Sequence, residues 1–220
     1  MKTYLMIVGM LVVLFVASDG SAFITGVTTE AYSSAYLPTN LHPDSLLNGN
    51  GLDVNGPDTH SLTASNNMWQ SDAGAQEDQW VVFDLGAVYD LTSMKVWNFN
   101  EGGNTGPNFG NQDYNQASGT KDVLLRGSDT IPGDWNSMPD LGTYQIALAA
   151  GDDTTAFGTV LNVNANSIRY LLLDVQSSWD VGNYPWVGLS EVRFTEVPEP
   201  TTLVLLGLGL PWLRKKRKLA

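Results

Sequence analysis

The sequence predicts an all-β chain: a jelly-roll β-sandwich of about eight strands, set between two apolar ends. Three observations predict it. No long stretch keeps a helical period, while short runs rich in Val, Ile, Leu, Phe, Tyr and Trp recur between Gly, Asn, Asp and Pro clusters. The 22 glycines and a charged fraction of only 15% in 220 residues suit short strands joined by turns. There are no cysteines, so disulfides and thiolate metal sites are excluded and two packed apolar faces supply the core.

The elements follow in order. Lys2 is a short basic start, Tyr4–Val16 is an almost unbroken apolar run, and Ala17, Ser18, Gly20, Ser21 and Ala22 are small. This is the three-part signal-peptide pattern over residues 1–22, with cleavage after Ala22; a retained membrane anchor is the alternative. Residues 23–196 read as one domain. Its candidate strands are Ile24–Ala31, Gln79–Leu85, Leu91–Asn98, Asp122–Gly127, Gly142–Ala147, Gly158–Val163, Ile168–Val175 and Val187–Phe194. In the third, Met94, Val96 and Asn98 alternate with Lys95 and Trp97, the period of a strand with two unlike faces. Eight strands without intervening helices fold as two sheets.

Charge narrows the function. The formal net charge is −12, and residues 23–196 hold 21 acidic against 5 basic residues. Such a surface repels nucleic acid, whose binding rests on phosphate neutralisation, so no nucleic-acid partner is expected. It suits calcium, neutral sugars or solubility outside the cell.

Leu47-Asn48-Gly49-Asn50-Gly51-Leu52-Asp53 places oxygen donors between glycines, as a flexible calcium loop requires. Asn48, Asn50 and Asp53 are the candidate ligands; a Gly/Asn turn without an ion is the other reading. The spacing is not that of an EF-hand. Aromatic residues form the second constellation. Trp97, Phe99, Phe109, Tyr114, Trp135, Trp179, Tyr184 and Trp186 fall at strand ends or in loops. Trp97 and Trp186 read as core. Trp179 and Tyr184, flanked by Asp180 and Asn183, read either as a sugar-stacking pair or as a lid over the sandwich end. Asn98, Asn100 and Glu101 sit at the same end and complete the candidate ligand set. The two histidines, His42 and His60, stand in no zinc or nucleophile motif, so no enzyme activity is expected.

Trp69, the stretch Gln79-Trp80-Val81-Val82-Phe83-Asp84-Leu85-Gly86, the stretch Leu91–Asn98, Gly119-Thr120-Lys121-Asp122-Val123 and Val187–Phe194 come in an order that resembles the discoidin or coagulation factor 5/8 C-terminal domain. That family belongs to the galactose-binding-like jelly rolls, with the family 32 carbohydrate-binding modules. The resemblance implies a glycan-binding module, and it implies that Glu191 joins the 48–53 loop as a calcium ligand. A buried Glu191 held by backbone donors is the alternative. The resemblance also makes Asp84 a strand-end residue that caps a turn. The chain departs from animal members in lacking their cysteine pair. A structural matrix protein with no specific ligand, and an enzyme acting on polysaccharide, are the competing functions.

The last segment, 197–220, has three ordered parts: Pro198-Glu199-Pro200, an apolar run over Leu203–Leu213, and Arg214-Lys215-Lys216-Arg217-Lys218. The prolines break regular structure, the run is short for a span, and the cluster favours the cytoplasmic side. The order resembles the PEP-CTERM sorting tail of Gram-negative bacteria. That resemblance implies export, transient membrane anchoring, recognition by an exosortase-type enzyme and release to the cell surface or matrix. In a host with that enzyme, the mature protein is expected to lack Arg214–Lys218. Substituting Pro198 and Pro200 together should leave a longer membrane form, read by intact mass; a full tail on the wild-type surface protein refutes the cleavage.

Overall fold

One strand sets the architecture, because it belongs to both halves of the sandwich. The structure, a computed structural model, describes residues 23–37, 40–64, 66–72, 78–101, 118–179 and 186–197. Its strands are β1 (Thr28–Tyr32), β2 (Trp69–Gln70), β3 (Trp80–Asn98), β4 (Thr120–Ser128), β5 (Asp140–Gln145), β6 (Thr159–Leu161), β7 (Ala165–Ser178) and β8 (Gly188–Glu196). The first arm of β3 pairs with β1 and β7, and the second arm pairs with β8 and β6. β4 continues the first half beyond β7, and β5 closes that edge; β2 lies outside β8. All of these pairings are antiparallel.

The bend in β3 lies between Asp84 and Leu91. Asp84 faces Tyr170 and Tyr89 faces Ile168, so five steps on β3 match two on β7. Gly86 takes a positive φ of 84° there, which a glycine adopts without a side-chain clash. Asp84 caps the bend as expected: its Oδ1 accepts the Gly86 N–H at 2.8 Å, and both carboxylate oxygens accept from Arg169 at 3.0 Å. The Arg169 hydrogen bonds hold the Asp84 carboxyl below its ordinary pKa against the opposing effect of burial. The bend returns the chain, so Asn98 reaches Thr120 at the end of the sandwich where Ser178 also lies. That end is called the apex here. The base holds the bend together with Val197, whose N–H donates to Asp90 O.

The core follows the period of two. Val81, Phe83 and Leu85 point inward with Leu171, Leu173, Leu125, Met94, Val192 and Phe194, and Phe83 meets Phe194 edge-on at 5.3 Å. Val82, Leu172 and Tyr170 face out, where Met138 and the short 3-10 turn Trp135–Ser137 cover them.

Two sequence expectations change. Gln79–Leu85 and Leu91–Asn98 form one continuous ladder strand, because the bend between them stays bonded to β7. Trp69–Gln70 is a strand that was not expected; it is too short to show a period, and Trp69 is fully buried. The remaining strands shift by a few residues at their ends. Among the described residues no helix is long and apolar enough to cross a membrane. Residues 1–22 and the sorting motif Pro198-Glu199-Pro200 with its apolar run lie outside the described residues.

β8 begins in a tight place. A Cβ on Gly188 would lie 2.5 Å from Trp69 O and 2.6 Å from Phe99 Cδ2. Gly188→Ala is therefore expected to destabilise the domain by about 1–3 kcal/mol through overpacking, measured by denaturant unfolding. An unchanged midpoint would show that the apex yields freely.

Candidate functional site

The apex gathers the ends of β4, β7 and β8 with the connections that follow β3 and β5. Trp179 continues β7 by one residue. Its backbone N–H donates to Gly119 O at 2.9 Å and its indole N–H to Ile146 O at 3.1 Å, which fixes the ring across the ends of β4 and β5. The ring is half-buried, with Lys121 Nζ 5.3 Å from its centroid, a cation–π contact. Asp122, Ser177 and Gln145 form a polar chain beside it: Ser177 Oγ donates to Asp122 Oδ2 at 2.6 Å, and Gln145 Nε2 donates to Oδ1 at 3.3 Å. Asp180, Asn183 and Tyr184 lie outside the described residues, as do Phe109 and Tyr114.

Asn98 and Asn100 are not surface groups. Asn98 is 1% exposed, donating through Nδ2 to Thr120 O and Ala147 O at 2.8 Å while its Oδ1 accepts the Phe99 N–H. Asn100 is fully buried; Nδ2 donates to His60 O and Asp152 O at 2.8 Å, and Oδ1 accepts the Gly151 N–H. Both amides are spent on the backbone of loops that would otherwise leave buried groups unpaired. This corrects the expectation that they contact a ligand: they brace the apex. Glu101, next in the chain, is half-buried, and burial pushes its carboxyl up to about 6. Trp97 is core as expected, 2% exposed, with its indole N–H donating to Asp58 O.

The 48–61 loop covers the outer face of the β3–β8 pair. Lys95, opposite Arg193 in the ladder, donates to Asp58 Oδ1. Within the loop, Asn48 Oδ1 accepts the Asn50 N–H, both amide nitrogens donate to Asn66 O, and Asp53 Oδ1 accepts the Asp58 N–H. Glu191 comes up from β8 with no exposed surface, and its Oε2 accepts the Gly49 N–H at 3.2 Å. Loop and glutamate are thus brought together. Burial pushes the Glu191 carboxyl up to about 8, against the pull of Arg193, whose Nη2 lies 2.7 Å from Oε1. Oε1 is thus answered by the guanidinium alone, and it is the oxygen of this pair that a hard cation would contact. Among the described residues no three His, Cys, Asp or Glu side chains cluster to hold a metal, so an ion here would draw on amide and backbone oxygens as well.

Sequence reasoning missed Lys121 and Arg193. Arg193 carried a signal in its spacing, two residues after Glu191 and hence on the same face of a strand. Lys121 carried only its rarity, one of 5 basic residues in the domain.

Comparison with known proteins bears on the fold. No protein-family model and no curated protein sequence matches the chain. Solved structures do. The CBM32-3 module of a family 31 glycoside hydrolase from Clostridium perfringens superposes with TM-score 0.52 at 11% identity, over 78% of this chain and 91% of that one. The CBM32-2 module of GH31 bound to GalNAc gives 0.51 at 14%, over 80% and 100%. The fold these modules share with the chain is a jelly-roll β-sandwich. A fucolectin from striped bass serum gives 0.50 at 16%, over 82% of this chain and 51% of the fucolectin. At these identities the likeness is one of fold.

His60 yields a test of the apex. It is fully buried under the loop, with Nδ1 against Ser61 O at 3.0 Å and no hydrogen-bond partner for Nε2. Burial lowers its pKa, so the folded state refuses a proton that the unfolded chain accepts near pH 6.5. Its contribution to stability is therefore lost as pH falls below about 6.5. Glu191, raised to about 8, has the opposite slope, losing stability as pH rises above its ordinary value, but it is common to wild type and variant. Urea unfolding of wild type against His60→Gln should show wild type losing more stability than the variant as pH falls below about 6.5. Parallel profiles would remove His60 as the cause.

Proposed function

We propose that residues 23–196 form a non-catalytic carbohydrate-binding module of an exported surface or matrix protein, with glycan taken at the apex around Trp179. The observation that carries the reading is the fixed, half-exposed Trp179 ring at the strand ends, beside Lys121 and the Asp122–Ser177–Gln145 chain. A rigid aromatic face offers dispersion to a pyranose ring, and neighbouring polar groups fix its orientation. The fold shared with carbohydrate-binding modules supports it, and one of those modules is described as bound to GalNAc. Asp180, Asn183 and Tyr184, one to five positions after Trp179 in sequence, are proposed to belong to the same ligand set. A non-catalytic role agrees with the histidines: His42 Nε2 is bonded to the Tyr32 hydroxyl and His60 is buried.

We also propose a structural calcium ion in the 48–53 loop, held by Glu191 with amide and backbone oxygens of Asn48, Asn50 and Asp53. The burial of Glu191 against the loop, with Oε2 accepting the Gly49 N–H, supports it. Calcium there would fix the loop against β8 and take no part in any reaction. The signal-like residues 1–22 and the PEP-CTERM-like tail support export, an exosortase-type partner and transient membrane anchoring, with the cell envelope or matrix of a Gram-negative bacterium as destination.

One observation favours the reading of a structural matrix module. The indole N–H bond to Ile146 O is what a lid over the sandwich end would make. A polysaccharide and glycan-array screen separates the two. If Trp179 stacks sugar, Trp179→Ala should weaken binding by about 1–3 kcal/mol, a scale taken from aromatic–base stacking, with the unfolding midpoint nearly kept. If Trp179 is a lid, the same change should cost stability on the scale of a buried aromatic, about 3–5 kcal/mol, in a protein that binds no glycan.

A further inference from the structure

Glu191 has no exposed surface, and burial favours its neutral form, so a charged carboxylate there requires a cation beside it. In this structure that group is Arg193, with Nη2 2.7 Å from Oε1. The other cation on this face, Lys95, is already joined to Asp58. The guanidinium also touches the loop itself: a Cβ built on Gly49, which takes φ of 71°, would lie 2.9 Å from Arg193 Nη2. One glycine therefore gives its N–H to the carboxylate and its bare Cα to the guanidinium. The pair is end-on, not forked, because Arg193 Nε finds no hydrogen-bond partner. The Arg193 side chain keeps 29% exposure, although its Nε is buried.

We propose that Arg193 is the built-in cation of the Glu191 site, closing the 48–53 loop without metal, and that a divalent ion enters only by displacing it. The displacement half rests on the calcium reading above; the closure half does not. A single-point contact made by a partly exposed side chain is the arrangement that permits such an exchange. A bidentate, sealed pair would not. The loop then has two closed forms that share Glu191 and differ in which positive charge faces Oε1. This makes the resting fold independent of ambient calcium and sets the affinity for the ion low.

The experiment compares chelator-treated wild type, Arg193→Met, Arg193→Lys and Glu191→Gln by thermal melting, then titrates calcium chloride into each by calorimetry. Metal-free Arg193→Met is expected to melt roughly 5–15 °C below wild type, as loss of one partner of a buried pair does. Arg193→Lys should recover part of the fall, which a purely steric role would not allow. Arg193→Met added to Glu191→Gln should change little, since a neutral amide needs no cation. Calcium should bind Arg193→Met at least about tenfold tighter than wild type and restore its melting temperature. Equal metal-free melts for wild type and Arg193→Met overturn the proposal, as does equal calcium affinity in the two. If Arg193→Met is destabilised but neither protein binds calcium, the calcium reading falls and Arg193 stands as the site's only cation.

Discussion

The bend of β3 is the constraint on which the rest depends. One strand bonded to β7 in one half and β8 in the other fixes the register of both, so the inward residues of the two arms meet in one core. The bend itself is secured by a local bond, Asp84 to the Gly86 amide, and a cross-strand one, Arg169 to Asp84. Because the chain turns back there, the start of the first arm, the end of the second and the apical ends of β4 and β7 collect at one apex. The candidate site exists because the strand turns.

Scarce positive charge is the second organising fact. Residues 23–196 carry 5 basic residues among 21 acidic ones, and each of the five has a defined partner. Lys95 holds Asp58, Arg126 spans Asp140 and Asp174, Arg169 holds Asp84, Arg193 meets Glu191, and Lys121 lies over Trp179. Three of these contacts fasten loops or turns to strands. In a domain this acidic, losing one cation also unmasks a carboxylate, so such positions tolerate change less than their partial exposure suggests.

What was legible in the sequence follows from the range of the forces involved. Strands showed through because alternation is local: Val81, Phe83 and Leu85 announce a face without reference to their partners. The continuity of β3 did not, since bonding through the bend depends on Tyr89 meeting Ile168, 79 positions later. Asn98 and Asn100 looked like surface groups because asparagine usually is one. Their burial is decided by Thr120, Ala147, His60 and Asp152, which no local pattern reveals. Glu191 was found through the family pattern and does meet the 48–53 loop, whereas Arg193 needed the geometry of the pair.

The two ends of the described domain have a mechanical consequence. Phe23 bridges Thr195, Ile24 bonds Phe194, and Val197 leaves from the end of β8, so both ends depart from the base. Trp179 stands at the opposite pole. A pull on Val197 runs along the axis of β8, which is bonded to β3 along its length and to β2 at its first two residues. Its hydrogen bonds lie across that pull and must yield together, as a ladder in shear does, instead of opening singly like a zip. The same topology that builds the apex makes the domain a stiff link under tension.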